Sequence, residues 1–188
     1  MVVLDATFLL LFFQPDAGVP RDSAGQAVAK PRERIEFLIS QLEKEKTRIV
    51  VPTPALSEVL IGAGAELSQK IIEVLQRKWV FRVEPFDLRA AVEVAAMLRS
   101  ELQLGKGKSN LTRAQTWAKV KYDRQIMAIA KVSGATTIYS DDQGLRSLGT
   151  RLRIDVLGIA DLPAPPEDPQ ANLFHAGDTD LQAESDAG

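Results

Sequence analysis

The stretch from Tyr122 to Leu145, YDRQIMAIAKVSGATTIYSDDQGL, limits the fold more than any other part of the chain. Asp123 opens an apolar helical run, Ile126-Met127-Ala128-Ile129-Ala130. Ser133-Gly134 makes a turn. Thr136-Thr137-Ile138-Tyr139 is β-branched and aromatic, the pattern of a short buried strand. That strand ends in Ser140-Asp141-Asp142. One acid therefore stands at a helix start and two at a strand end. In an open α/β sheet, ligands bind just outside the carboxyl ends of the strands. Carboxylates converging there raise each other's pKa, and a bound cation is the usual way to offset the repulsion.

The rest of the chain repeats the alternation. Val2-Val3-Leu4 reads as a buried strand ending at Asp5, and Ala6-Thr7 leads into an apolar helix, Phe8 to Phe13. Taken alone, Asp5 is equally well a cap of that helix. Gln14 to Lys30 is a loop of Pro, Gly, Asp and Ser, longer than most connections. Pro31 then starts a helix to about Lys46 with Ile35, Leu38, Ile39 and Leu42 on one face. Arg48 to Val51 is the second strand. Thr53 reads as an N-cap with Pro54 at the first helical position, and Leu56, Val59 and Leu60 point inward. Glu58 lies on this helix near the strand-end edge; by itself it is equally a helix-dipole acid on a wet surface. Gly62 and Gly64 break the helix and a second follows to about Gln76. Trp79 to Val83 is the third strand. Asp87 starts a helix to about Leu104, expected to turn Leu88, Val92, Ala95 and Leu98 to the core. After the central stretch come a short helix, Gly144 to Leu148, and a peripheral strand, Arg153 to Val156.

The chain has 188 residues, enough for one α/β domain. It contains no cysteine, and its single histidine, His175, falls near the C-terminus. A metal site in the body must therefore use oxygen ligands, which favours magnesium, manganese or calcium over zinc or copper. Residues 163–188 carry six acids and no Lys or Arg, so the body holds 23 basic against 19 acidic residues. A mildly basic domain (1–162) with an acidic, disordered tail (163–188) is the expected organisation, and it is compatible with nucleic-acid binding. Lack of cysteine fits a reducing cytosol, and no run approaches the ~18 apolar residues of a membrane span. Neither a membrane partner nor a signal peptide is expected; the location expected is cytoplasmic. Gly105-Lys106-Gly107-Lys108-Ser109 does not make a phosphate-binding loop, because Leu102 stands where its first glycine is required. It is a basic loop. Lys119, Lys121 and Arg124 beyond it are candidates to hold an RNA backbone.

In order and spacing, these motifs resemble the PIN domain, a family of metal-dependent ribonucleases. VVLDATFLL is similar to its opening strand, acid and hydroxyl. Thr53-Pro54-Ala55-Leu56-Ser57-Glu58-Val59-Leu60 is similar to its second-acid helix, and Asp123 to Ala130 to its third-acid helix. Ile138-Tyr139-Ser140-Asp141-Asp142 resembles its strand ending in Ser/Thr, any residue, Asp. The resemblance covers about residues 1 to 160. It implies a three-layer α/β/α fold with a central, mainly parallel sheet. It implies Asp5, Glu58, Asp123 and Asp142 as catalytic ligands of Mg²⁺ (or Mn²⁺), with the Thr7 and Ser140 hydroxyls orienting the carboxylates or water.

Many family members carry a further acid two residues after the fourth; here that position is Gly144, and Asp141 is the candidate to compensate as a metal ligand. The implied activity is cleavage of RNA to 5′-phosphate and 3′-hydroxyl ends, as in the VapC-type toxins, whose partners are a cognate antitoxin and often a second copy. The alternative is a PIN-like module that binds RNA or protein without cleaving. A haloacid-dehalogenase type of phosphatase is disfavoured, since Asp5-Ala6-Thr7 lacks the Asp-x-Asp pair.

Overall fold

The computed structural model describes residues 1–14, 18–22, 24–103 and 117–166, with side chains for all but 101–103 and 117–121. The basic stretch Gly105 to Ser109, the tail from 167 onward and His175 lie outside the described residues.

Five strands form one parallel sheet: β1 (Val2–Leu4), β2 (Ile49–Pro52), β3 (Phe81–Glu84), β4 (Thr137–Tyr139) and β5 (Asp155–Leu157), in the order β3-β2-β1-β4-β5. The three inner strands are apolar along their length because helices cover both faces; every residue of β1 and β2 is buried. The edge strands admit charge. In β3, Arg82 pairs with Glu84, and in β5, Asp155 faces solvent. Charged residues on an edge discourage pairing with another chain.

Among the described residues, six helices connect the strands: α1 (Ala6–Phe13), α2 (Pro31–Lys44), α3 (Thr53–Arg77), α4 (Leu88–Gln103), α5 (Trp117–Val132) and α6 (Gln143–Leu152), followed by a 3₁₀ turn, Ile159–Asp161. Right-handed crossovers between parallel strands put α1, α2 and α3 on one face and α4, α5 and α6 on the other, and the packing follows that division: α1 touches α2 and α3, and α5 touches α4 and α6. Phe8, Leu9, Ile35, Ile71, Met127 and Ile129 fill the two interfaces and are fully buried. Burying one such side chain contributes roughly 1.5–3 kcal/mol. The result is the three-layer α/β/α architecture that the motif order implies.

The predicted inward faces of α2 and of α3 hold: Ile35, Leu38, Ile39 and Leu42 are buried, as is Val59, with Leu56 and Leu60 packed against the core. Gly64 breaks α3 as expected, with φ 71 and ψ 173 inside an otherwise helical run. Three local expectations are corrected. The helix carrying Asp123 begins at Trp117, so Asp123 lies inside α5 rather than at its start. Pro52, not Thr53, is the N-cap residue of α3. The Thr53 hydroxyl accepts instead from the Phe86 N–H at 3.2 Å, tying α3 to the β3–α4 connection.

The expected inner face of α4 is also wrong: Leu88 is 80% exposed and Val92 58%. Its buried residues are Ala90 and Met97, with Val94 packed against the core. The helix is apolar on two sides, so periodicity could not choose between them. On the observed face, polar contacts to α5 accompany the packing: Glu93 pairs with Lys131, and Arg89 Nη2 donates to the Val132 carbonyl at 3.3 Å. The 14–30 connection is a loop as expected, with local order in its described part. Arg21 and Ala27 form an antiparallel bridge, and Asp22 Oδ1 accepts from the Ala24 and Gln26 N–H groups at 2.9 and 2.8 Å.

Two glycines in helices should respond oppositely to alanine. A side chain on Gly149 would overlap Val156 and stand 2.6 Å from the Ile154 carbonyl, where α6 crosses β5. Gly149→Ala is expected to lower stability by about 1–3 kcal/mol. At Gly62 the nearest neighbour is Leu10, 3.9 Å away, and Gly62→Ala is expected to raise stability by about 0.5–1 kcal/mol. Urea unfolding of both variants checks the pair of signs.

Candidate active site

Strand order reverses between β1 and β4. From β1 the chain steps outward through β2 to β3, then returns to the other side of β1. That reversal leaves a crevice at the carboxyl ends of β1 and β4, the place where open α/β sheets bind ligands. Asp5 follows β1 directly, and Ser140-Asp141-Asp142 follows β4.

A cavity of about 580 Å³ opens there. Its walls bring together Asp5 and Thr7, Glu58 from α3, Asp123 from α5, and Asp141 and Asp142 from the β4–α6 turn. Five further lining residues were not expected from the sequence: Ala6 beside Asp5, Ser57 and Ile61, which flank Glu58 on α3, and Tyr122 and Ile126, which flank Asp123 on α5. The signal was available in their spacing, since Ser57 and Ile61 are one residue before and three after Glu58. Ile61 is 84% exposed at the rim. Arg124 is half-buried on α5 and is not among the lining residues. The side chains of Lys119 and Lys121 lie outside the described residues.

Asp5 is the deepest of these acids, only 7% exposed. It occupies the N-cap position of α1 but makes no capping hydrogen bond to it. Its Oδ2 accepts instead from the Ser140 hydroxyl at 2.7 Å. Burial pushes its carboxyl above the ordinary value of 3.8, against the effect of the Ser140 hydroxyl and the Ala6 N–H; the negative charges of Glu58 and Asp142 add to the rise. Ser140 is itself fully buried, and its Oγ also accepts from the Asp142 N–H at 3.0 Å. One hydroxyl thus joins the two strand ends.

Asp142 is the N-cap of α6, with Oδ1 accepting from the Gly144 and Leu145 N–H groups at 2.6 and 3.1 Å. Capping and facing the cavity are compatible, since the cap engages one oxygen and fixes the plane of the carboxylate. A side chain on Gly144 would stand 2.6 Å from Asp123 Oδ2 and 2.9 Å from Asp142 Oδ1. The bare glycine is therefore what allows the Asp123 carboxylate to lie against the start of α6. Asp141 lines the cavity too, but its Oδ1 accepts from the Ile159 N–H at 2.9 Å. Burial raises its carboxyl, opposed by that N–H and by the Arg146 charge.

The donor chemistry suits a hard divalent cation, since every candidate ligand is oxygen and the carboxylates repel one another at Asp5. Among the described residues, no three carboxylates stand close enough to form a closed ion cage. A cation would have to draw them inward.

A raised carboxyl pKa in the folded state means that ionisation of Asp5 opposes folding as pH rises above its ordinary value. Asp5→Asn, melted in chelator at pH 7, is expected to unfold at the same or a higher temperature than the parent chain. The difference should shrink as pH falls toward 3.8. A large loss of stability at pH 7 would mean that the carboxylate itself holds the fold.

No protein-family model matches the chain, and no curated protein sequence matches it. Among solved structures it is similar to VapC20 of Mycobacterium tuberculosis, a Sarcin-Ricin loop cleaving toxin, at 12% identity and a TM-score of 0.51, over 79% of this chain and 95% of that one. It is also similar to the DNA-bound VapBC of Salmonella typhimurium, at 14% identity and a TM-score of 0.52, over 84% of this chain and 97% of that one. At these identities the likeness shows the fold, and the fold is the PIN-like α/β/α architecture whose motifs the sequence resembles.

Proposed function

We propose that the chain is a metal-dependent endoribonuclease and acts as the toxin of a toxin–antitoxin pair. The observation that carries this reading is the meeting of four acids, Asp5, Glu58, Asp123 and Asp142, from four different elements at one cavity. Each has a separate local explanation, but local roles do not require them to share a cavity. The structural neighbours support it further, since one is a Sarcin-Ricin loop cleaving toxin and the other a VapBC assembly.

In this reading Asp5, Glu58, Asp123 and Asp142 hold one or two Mg²⁺ or Mn²⁺ ions. What such an ion supplies is Lewis acidity, which makes water a competent nucleophile near neutral pH and offsets charge on a phosphodiester. The chain's own residues do the placing. Ser140 orients the Asp5 carboxylate through its 2.7 Å hydrogen bond. The α6 amides hold one oxygen of Asp142, which fixes the direction of the other. Thr7, beside Asp5, offers a hydroxyl to orient water or a carboxylate. Arg124, with Lys119 and Lys121, is assigned to the RNA backbone, a contact that positions the strand without reading its sequence.

Cleavage of a panel of single-stranded RNAs tests this directly. Wild type is expected to cut with Mg²⁺ or Mn²⁺ and to stop in EDTA. Asp5→Asn, prepared identically, is expected to be inactive, whereas Ser140→Ala should retain activity reduced by about 10–100-fold. RNA binding that survives both chelator and Asp5→Asn, with no cleavage anywhere in the panel, would favour a pure binding module. Gly144→Ala tests the site geometry. Its Cβ would also meet the capping oxygen of Asp142, so stability should fall by about 1 kcal/mol, the worth of one cap. Asp123 must move aside, so metal-dependent cleavage should fall more than about 10-fold.

A further inference from the structure

Two aspartates follow β4, and the structure gives them different surroundings. We propose that Asp141 is a positioning residue for Asp142 and not a ligand of the cation: its carboxylate anchors the β4–α6 turn to the 158–161 turn beyond β5. The inference rests on the nuclease reading of the cavity and divides the labour within it.

Four observations carry it. Asp141 Oδ1 accepts from the Ile159 N–H at 2.9 Å, across eighteen residues of chain. Asp141 Oδ2 is closed off from solvent and has no hydrogen-bond partner among the described residues, so a hydrated ion has no route to it without opening the turn. The Arg146 guanidinium acts on this carboxylate as an attractive charge, while burial and the Asp161 charge act the other way; Arg146 itself pairs with Asp161, so Asp141 belongs to the charge network around the 158–161 turn. Finally, the carboxylate is packed closely on its Gly158 side. A side chain on Gly158 would overlap Asp141 Oδ1 and stand 2.8 Å from Arg146 Nη2.

The 158–161 turn is firm enough to serve as an anchor. The Gly158 N–H donates to Asp161 Oδ2 at 2.8 Å, and Arg146 Nη2 donates to the same oxygen at 3.0 Å. One residue before Asp141, the Ser140 N–H donates to the Leu157 carbonyl at 2.8 Å. The two residues that precede Asp142 are thus tied down. Asp142 can present its second oxygen to the cavity in one direction because the turn that carries it does not move.

The test is Mn²⁺ affinity, measured by titration calorimetry on the full chain, for wild type, Asp5→Asn, Asp141→Asn, Asp141→Ala, Gly158→Ala and the Asp141→Ala/Gly158→Ala double variant. Asparagine keeps an oxygen for the Ile159 N–H, so Asp141→Asn should bind within a few-fold of wild type. Asp141→Ala removes the anchor and should weaken binding about 10–100-fold, as loss of a supporting group does. Gly158→Ala pushes the carboxylate off its seat and should reproduce that loss. The double variant should be no worse than either single one, because both break the same contact.

Asp141→Asn as damaging as Asp5→Asn would make Asp141 a ligand and overturn the proposal. So would Asp141→Ala binding like wild type. If Asp141→Ala is unfolded in chelator melts, the comparison of Asp141→Asn with Asp5→Asn still decides. If Asp5→Asn itself binds Mn²⁺ like wild type, it is the cation reading of the cavity that fails.

Discussion

The hydrogen bond from Ser140 to Asp5 joins two strand ends that are 135 residues apart in sequence. It depends on the parallel pairing of β1 with β4, which sets Leu4 opposite Tyr139, and on the Asp5 N–H donating to the Tyr139 carbonyl at 3.1 Å. Those contacts put a fully buried hydroxyl against a nearly buried carboxylate at the point where strand order reverses. A one-residue slip in the register would turn Ser140 to the opposite face of the sheet and leave Asp5 buried without its donor. An unpaired buried polar group is costly, so the geometry of the cavity and the register of the sheet are held by the same contact.

The cavity sits where two requirements conflict. Folding favours apolar strand ends, yet this edge gathers carboxylates whose charges oppose one another. The chain limits the conflict by placement. Asp5 is buried but has Ser140. Asp142 has the amides at the start of α6, where a negative charge is favoured by the exposed N–H groups. Glu58 stays exposed on α3. Asp141 has a backbone N–H and the neighbouring Arg146. Each acid therefore keeps a local partner or access to water, and the residual repulsion is concentrated at Asp5, the one acid that burial separates most from solvent.

The readable part of the fold came from residues whose pattern admits one interpretation. Val2 to Leu4 and Ile49 to Val51 are too short and too apolar for anything but inner strands. Ile35, Leu38, Ile39 and Leu42 define one face only. The α4 helix shows the opposite case. Leu88 and Val92 lie at helical spacing, but so do Ala90, Val94 and Met97, and the choice fell to packing against α5, where the contacting residues lie some forty apart in sequence. Thr53 looked like a cap because Ser/Thr before a proline commonly is one; a backbone N–H from the next strand's connection claimed its hydroxyl first. Asp123 looked like a helix start because the helix upstream of it is less apolar than the helix downstream.

By itself, the sequence determined the alternation of strands and helices, the absence of soft metal ligands from the body, and the positions of Asp5, Asp141 and Asp142 at strand ends. These are local matters of side-chain chemistry and periodicity. Only the tertiary structure decided which acids share a cavity, that Ser140 serves Asp5 while Asp141 turns to Ile159, and that Gly144 and Gly158 are bare because carboxylates lie against them. Those outcomes depend on contacts between residues that are adjacent in space through strand pairing and crossover, and no spacing along the chain encodes the direction in which a side chain leaves a turn.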